Sequence, residues 1–307
     1  MRIHRDTTFL ADRDRGATAA VGNFDGVHRG HQAILRIAAE AADAPLGAVT
    51  FEPHPREFFF PDAPAFRLMN SEAKAHRLES LGVAHLYELG FNERLASLSP
   101  EAFAAEIIRD RLGLVHVTIG ADFRFGKDRE GTAEMLRDYG AAMGFGVTVA
   151  DLVAAAGTEV SSTRIREALS EGRPRDAAEM LGHLHRIEGP VMRGDQRGRD
   201  LGYPTANMSL EGLHQPKFGV YAVRVRVLNG DHAGNYDGVA SLGVRPMFGE
   251  NRPNLETHVF DFKGDLYGAH LSVALVEYLR PEEMFDSLEA LIRQMDADSA
   301  RARELLG

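Results

Sequence analysis

A ten-residue stretch, Gly22-Asn23-Phe24-Asp25-Gly26-Val27-His28-Arg29-Gly30-His31, limits this chain more than any other. It follows the apolar run Ala17–Val21 and precedes the apolar-periodic run Ala33–Ala39. That order predicts a strand, a glycine-rich turn and a helix. His28 and His31 are three residues apart, so they occupy neighbouring positions on one face where the helix begins. A helix N-terminus offers free N–H groups and positive potential to an anion. Two imidazoles added there suit a phosphate, above all one gaining charge in a transition state. A single histidine would read as an ordinary turn residue; the pair, with flanking glycines and Asp25 upstream, points to chemistry.

The charge balance narrows the partners. The 35 basic and 45 acidic residues give a net charge of −10. A protein that binds nucleic acid through its phosphates is usually basic, so no nucleic-acid partner is expected. An acidic chain can still hold a polyanion such as ATP through local arginines, helix termini or a divalent metal. There is no cysteine, which excludes disulfides and thiolate metal sites and fits a reducing cytoplasm. The N-terminal residues lack the apolar core of a signal peptide, and no apolar run reaches membrane-spanning length, so a cytoplasmic protein without a membrane partner is expected. Nothing in the sequence sets the oligomeric state.

A length of 307 residues suggests about two domains. The pattern changes near residue 180. Before it, short apolar strands at 47–51, 85–89, 115–119 and 146–150 alternate with helices. One helix is capped by Ser99 with Pro100 at its first position, and Phe103, Ile107, Ile108 and Leu112 share a face before Gly113. Another runs from Ser71 towards Gly82. This alternation predicts a parallel α/β sheet. After residue 183 the period becomes two: Val223, Val225 and Val227 alternate with Arg224 and Arg226, and Asn229-Gly230 reads as a tight hairpin. Strands at 255–262 and 269–279 follow, then a helix after Pro281 with Met284, Leu288, Leu291, Ile292 and Met295 on one stripe. The expected fold is an α/β parallel-sheet domain over 1–182, then a small antiparallel β-barrel over 183–307 with a C-terminal helix.

Neither a P-loop nor a complete G-x-G-x-x-G occurs. A second phosphate device is Ser161-Ser162-Thr163-Arg164-Ile165-Arg166, where hydroxyls open a short helix and Arg166 emerges one turn later. Through the Gly22–His31 pattern and this later Ser-Ser-Thr-x-x-Arg run, the first half resembles the nucleotidyltransferase superfamily. The wording of Thr50–Pro55, Gly120–Gly126 and Ser161–Arg166 is similar to the adenylyltransferase domain of bacterial riboflavin kinase/FAD synthetases. The resemblance implies in-line attack of FMN phosphate on the α-phosphorus of ATP. It implies that His28 and His31 stabilise charge on the reacting phosphates. It further assigns Gly22, Phe24, Asp25, Gly26, Ser162, Thr163 and Arg166 to ATP, and Pro53, His54, Pro55, Asp122, Phe123 and Phe125 to flavin.

The second dense motif is Gly189 to Asn207. Gly189, Gly194, Gly198 and Gly202 mark a loop able to bring backbone N–H groups to phosphates, and Arg193, Arg197 and Arg199 add positive charge. Thr205 and Asn207 are two hard oxygen donors on one side of an extended strand, a spacing suited to Mg²⁺. Glu256 shares a strand face with His258 and Phe260; spacing alone reads it as a solvated residue. The segment resembles the riboflavin kinase signature, with 217–221, 242–246, 255–262 and Leu279-Arg280 in the family's order. The resemblance implies Mg²⁺–ATP on Thr205 and Asn207, with Gly194, Gly198, Arg199 and Gly202 at the nucleotide. It makes Glu256 the general base and puts Arg280 at the flavin. Where Met247 stands, the family more often has threonine. ATP, riboflavin and FMN are the expected small-molecule partners. A cytidylyltransferase would leave the Pro204–Asn207 segment unexplained. A non-catalytic flavin-binding module would not need His28, His31, Arg166, Thr205, Asn207 and Glu256 together.

Overall fold

The computed structural model describes residues 1–150, 154–155, 158–193, 202–247 and 250–307. Contacts divide the chain into two units: Met1–Pro64 with Lys74–Val160, and Ala65–Ala73 with Ser161–Gly307. The sequence pattern changes at 182/183, whereas contacts group 161–182 with the second unit.

The first unit is built on a six-stranded parallel sheet. Its strands are β1 (Arg2–His4), β2 (Thr18–Val21), β3 (Leu46–Glu52), β4 (His85–Gly90), β5 (His116–Gly120) and β6 (Gly146–Ala150), in spatial order β1-β4-β3-β2-β5-β6. Helices α1 (Arg29–Ala41), α2 (Pro55–Phe59), α3 (Ser71–Ser80), α4 (Glu93–Ala96), α5 (Pro100–Ala102) and α6 (Ala133–Met143) connect them. Ser99 accepts from the Ala102 N–H at 3.1 Å as the cap of α5. The helical segment Phe103–Leu112 that follows buries the expected stripe of Phe103, Ile107, Ile108 and Leu112. That stripe packs with Val21, Phe51, Tyr87 and Ile119 of the sheet in one core. The strand order reverses beside β2: β3 and β4 lie on one side, β5 and β6 on the other. Parallel sheets bind ligands outside the carboxyl ends of their strands at such a switch point. The histidine motif follows β2 at that place. Two-residue strands β7 (Ala154–Ala155) and β8 (Thr158–Glu159) form a small hairpin.

The second unit opens with helices α7 (Ser162–Ser170) and α8 (Pro174–Leu181), which share a core of Leu68, Ile165, Leu169, Ala177 and Leu181. Antiparallel strands follow: β9 (Arg186–Pro190), β10 (Ala206–Ser209), β11 (Gly219–Val227), β12 (Gly234–Met247), β13 (Glu250–Val259) and β14 (His270–Arg280). Their order is β10-β13-β12-β11-β14-β9, and an isolated bridge between Met192 and Asn207 brings the two edges together. The sheet is a nearly closed barrel. Leu255 and Val259 point into its apolar interior with Met208, Val223 and Leu242. Alternation sends Glu256, His258 and Phe260 outward. Phe260 meets Ala302 and Leu306 of the C-terminal helix α9 (Leu288–Leu306).

Two local expectations are corrected. Strands β11 and β12 are joined by residues 228–233, longer than a two-residue hairpin. Asn229 turns its side-chain oxygen to the His270 N–H at 2.9 Å, so it ties two connections instead of forming a tight turn. Helix α9 starts at Leu288, where the Ser287 hydroxyl caps the Ala290 N–H at 3.1 Å. Met284 lies outside the helix and is fully exposed, and Leu288 is 52% exposed. The helix docks instead through its C-terminal half, at Asp298, Ala302 and Leu306.

Candidate active sites

His28 is the cap of α1 and His31 its third residue. The His28 Nδ1 accepts from the His31 N–H at 3.4 Å, and the two rings stack at 3.7 Å with 16° between planes. Gln32 anchors the turn by donating from its side chain to the Val27 carbonyl at 2.8 Å. Phe24 and Val27 have φ of 51° and 41°, a region that β-branched and bulky residues rarely adopt. Both are almost wholly buried, and that packing holds the strained turn. Asp25 and Gly26 are buried in the same turn. The His31 Nδ1 is buried with no partner among the described residues. Burial, then His28, then Lys74 hold His31 well below its ordinary pKa. His31 is therefore neutral near pH 7 and could meet an anion only by hydrogen bonding, not by charge.

Lys74 carries no sequence signature, yet the structure brings it here. It is 4% exposed on α3, donates to the Thr50 hydroxyl at 3.1 Å and lies 3.6 Å from the Glu52 carboxylate. Thr50 in turn donates to the Asn23 carbonyl at 3.1 Å. A buried ammonium is thus tied through a hydroxyl to the histidine turn.

The residues expected at the flavin divide by role. His54 caps α2: its Nδ1 accepts from the Arg56 N–H at 3.1 Å, and its own N–H donates to Glu57 at 3.0 Å. Pro55 opens that helix, and the Glu52–Pro53 peptide is cis. Asp122 is exposed beyond the carboxyl end of β5. Phe123 is partly buried and stacks on Phe125 at 5.7 Å. Phe125 itself is 5% exposed inside the apolar core, against Phe103.

In the second unit, the Ser161 hydroxyl accepts from the Arg164 N–H at 3.4 Å and caps α7. Ser162 and Thr163 form its first turn. Arg166 donates to the Phe66 carbonyl at 2.6 Å, with its guanidinium 5.2 Å from the Phe66 ring centre.

The barrel's outer face carries a polar row. Asn207 of β10 and Ser241 of β12 are both register partners of Glu256 on β13. Asn254, two residues before Glu256 and 4% exposed, donates to the Asn207 oxygen at 3.2 Å and to Glu256 at 3.4 Å. Sequence reasoning missed Asn254, because a lone asparagine in an alternating strand has no distinguishing pattern. Thr205 precedes β10 and is partly buried. Its carbonyl faces the Asn207 side-chain amide at 3.5 Å. Gly202 has φ of 81°, a conformation that favours glycine. Arg280 is held by Asp298 of α9 through contacts of 2.8 and 3.0 Å, with the Phe285 ring 5.7 Å away. Gly194, Gly198 and Arg199 lie outside the described residues, as does the side chain of Met247.

Residues 10–164 match the FAD synthetase family and residues 181–306 the riboflavin kinase family. The second match leaves no place for a cytidylyltransferase or a non-catalytic flavin module. The chain is 42% identical over 309 residues to the bifunctional riboflavin kinase/FMN adenylyltransferase of Pseudomonas fluorescens, covering 99% of this chain and 98% of that one. The Escherichia coli K12 protein of the same description is 37% identical over 295 residues, covering 95% and 93%. A crystal structure from Streptococcus pneumoniae, described as a macrolide-efflux protein, shares the fold with a TM-score of 0.83 at 31% identity over 98% of both chains. Among the described residues, no helix is long and apolar enough to cross a membrane. Two family matches in order along the chain and relatives aligned over nearly its whole length point the same way, and the chain belongs to the bifunctional riboflavin kinase/FMN adenylyltransferase family, which phosphorylates riboflavin to FMN and adenylylates FMN to FAD.

Proposed function

We propose that the two reactions run on separate side-chain sets, adenylyl transfer on residues of 1–182 and phosphoryl transfer on residues of 183–307. The observation that carries this is the cross-strand pairing of Glu256 with Asn207, which puts a half-buried carboxylate beside an amide on the outer side of the barrel sheet.

In the kinase reaction, Glu256 accepts the proton of the riboflavin 5′-hydroxyl as that oxygen forms its bond to the γ-phosphorus. The bond from that phosphorus to the β–γ bridging oxygen breaks, and ADP leaves. Asn207 and Thr205 would hold Mg²⁺ at the ATP phosphates. Their oxygen donors, with Glu256 alongside, match a hard cation. The ion supplies charge neutralisation when bound. Gly194, Gly198, Arg199 and Gly202 cradle the nucleotide. Arg280, fixed by Asp298, shapes the flavin end.

In the adenylyl reaction, an FMN phosphate oxygen bonds to the α-phosphorus of ATP and pyrophosphate leaves. His28 and His31 donate to the reacting phosphates, helped by the N–H groups of the turn from Gly22 through Phe24, Asp25 and Gly26. Ser162, Thr163 and Arg166 hold the β and γ phosphates. Pro53, His54, Pro55, Asp122, Phe123 and Phe125 form the flavin surroundings, the proline turn and Phe125 as support and Asp122 and Phe123 as contacts.

The chain works in the cytoplasm, a reading supported by its lack of cysteine, and its net negative charge speaks against a nucleic-acid partner. The assignment is tested with riboflavin, FMN, ATP and Mg²⁺, separating flavins by chromatography. Glu256→Ala should abolish FMN formation and spare FAD formation from supplied FMN; His28→Ala should do the reverse. Loss of both reactions in either folded variant overturns the two-set assignment.

A further inference from the structure

We propose that His4, Asp14 and His85 form a binding site for one divalent transition-metal ion of the Zn²⁺ type, apart from both reaction sites. One ligand atom from each residue lies within 4.8 Å of the others. His4 ends β1, His85 begins β4, and Asp14 closes a short 3₁₀ turn, Asp12–Asp14. Strands β1 and β4 pair in parallel, with His4 opposite Tyr87 and Arg2 opposite His85. His4 and His85 therefore project on the same face of the sheet. The His4 Nε2 and His85 Nδ1 are 3.1 Å apart. Two imidazole nitrogens bound to one tetrahedral Zn²⁺ at about 2.0–2.1 Å must sit only slightly farther apart than this. The pair thus needs only a small opening to take an ion.

The surroundings match what such a site needs. Asp14 and His85 are 8% and 7% exposed, and His4 is partly exposed, which leaves a way in. Each neutral imidazole offers one lone pair to an ion. Arg2 grips one Asp14 oxygen, and the other faces Arg13 only at 3.8 Å. Ligating carboxylates are commonly oriented by such an outer partner. The Tyr87 hydroxyl donates to the Asp14 carbonyl at 2.8 Å, and its ring lies 5.0 Å from His4 and 6.0 Å from His85. Imidazole ligands favour Zn²⁺ and its neighbours over Mg²⁺. The cluster lies at the amino end of β4, while the histidine motif follows the carboxyl end of β2 in the same parallel sheet. Its role is therefore structural: an ion here staples the three-residue edge strand β1 to β4.

The test uses the full-length chain without an affinity tag, stripped with chelator and titrated with Zn²⁺ in excess Mg²⁺ by calorimetry, and with Co²⁺ by visible absorption. We expect about one equivalent to bind and to raise Tm by roughly 5 °C at a hundredfold excess over Kd. His4→Gln, on the partly exposed edge strand, should fold, keep both flavin activities, and lose that equivalent and the Tm gain. His85→Gln should lose them too. An unaltered stoichiometry in a folded His4→Gln chain, or no Zn²⁺ binding by the parent chain, overturns the site and leaves a plain histidine–histidine hydrogen bond.

Discussion

Asn207 and Glu256 face each other on adjacent antiparallel strands, and a single amide, Asn254, donates to both, at 3.2 Å and 3.4 Å. That buried amide fixes the direction of the two oxygens that the proposed kinase site would use. Asn254→Leu removes the shared donor while keeping similar bulk. Loss of a buried hydrogen bond costs about 1–3 kcal/mol. Phosphorylation of riboflavin should therefore slow by about tenfold to a hundredfold, while adenylylation of supplied FMN is unchanged. Steady-state rates for the two half-reactions in one preparation check this.

Gly30 has a comparable relation to His28. A Cβ at Gly30 would sit 3.1 Å from the His28 Cε1 and 3.2 Å from its Nδ1. Alanine is the better helix former by up to about 1 kcal/mol, so Gly30→Ala should fold normally. The added methyl pushes the His28 ring aside by a few tenths of an ångström. Transition-state hydrogen bonds depend steeply on geometry, and adenylylation should fall about tenfold with riboflavin kinase activity intact. Unaltered FAD synthesis would show that the position of the His28 ring does not matter.

His28→Asn separates capping from chemistry. Asparagine is among the best helix caps, so stability should hold within about 1 kcal/mol. Without the imidazole, FAD formation from FMN should be lost. Urea unfolding and the FMN assay on the same variant give both readings.

The strands and the motif turns were legible because each rests on a short local rule. Apolar runs marked β3 to β6, the valine alternation marked β11, and glycines with histidines marked the turn after β2. Residues that act through long-range contacts left no trace. Lys74 reads as an ordinary charge on α3, and only the fold buries it against Thr50. Asn254 reads as a polar strand residue until β10 pairs beside it. The helical stripe from Met284 failed for the same reason: which half of α9 docks is decided by Ala222 and Phe260, far away in sequence. The change of period at 183 was visible, but 161–182 group with the barrel unit through tertiary contacts that no periodicity encodes.

Asp298 anchors that helix. Its carboxylate accepts from Arg280 at 2.8 Å and 3.0 Å and from Gln294 at 2.9 Å, and its side chain is 9% exposed. Breaking a buried pair by removing one partner costs about 3–5 kcal/mol. Asp298→Ala should lower stability by that amount in denaturant unfolding. If Arg280 shapes the flavin end of the kinase site, the variant should also raise the KM for riboflavin more than the KM for ATP.

Acid sensitivity should trace to His185. It is 3% exposed, and burial, aided by His183 and His214, pushes its pKa down from 6.5 to about 3. The unfolded chain keeps the ordinary value, about 6.5. Between those two values the unfolded state binds a proton that the folded state refuses. The stability tied to His185 is thus fully present above about pH 6.5 and is lost as the pH falls, by about 1.4 kcal/mol per pH unit towards pH 3. His31, also held well below its ordinary value, adds a slope of the same sign. His185→Leu cannot take up the proton. Its unfolding free energy between pH 6.5 and pH 5 should be flatter than the parent's by about that slope, with the His31 contribution left behind. Parallel pH profiles for the two chains, measured by urea unfolding, would show that His185 titrates normally in the folded state.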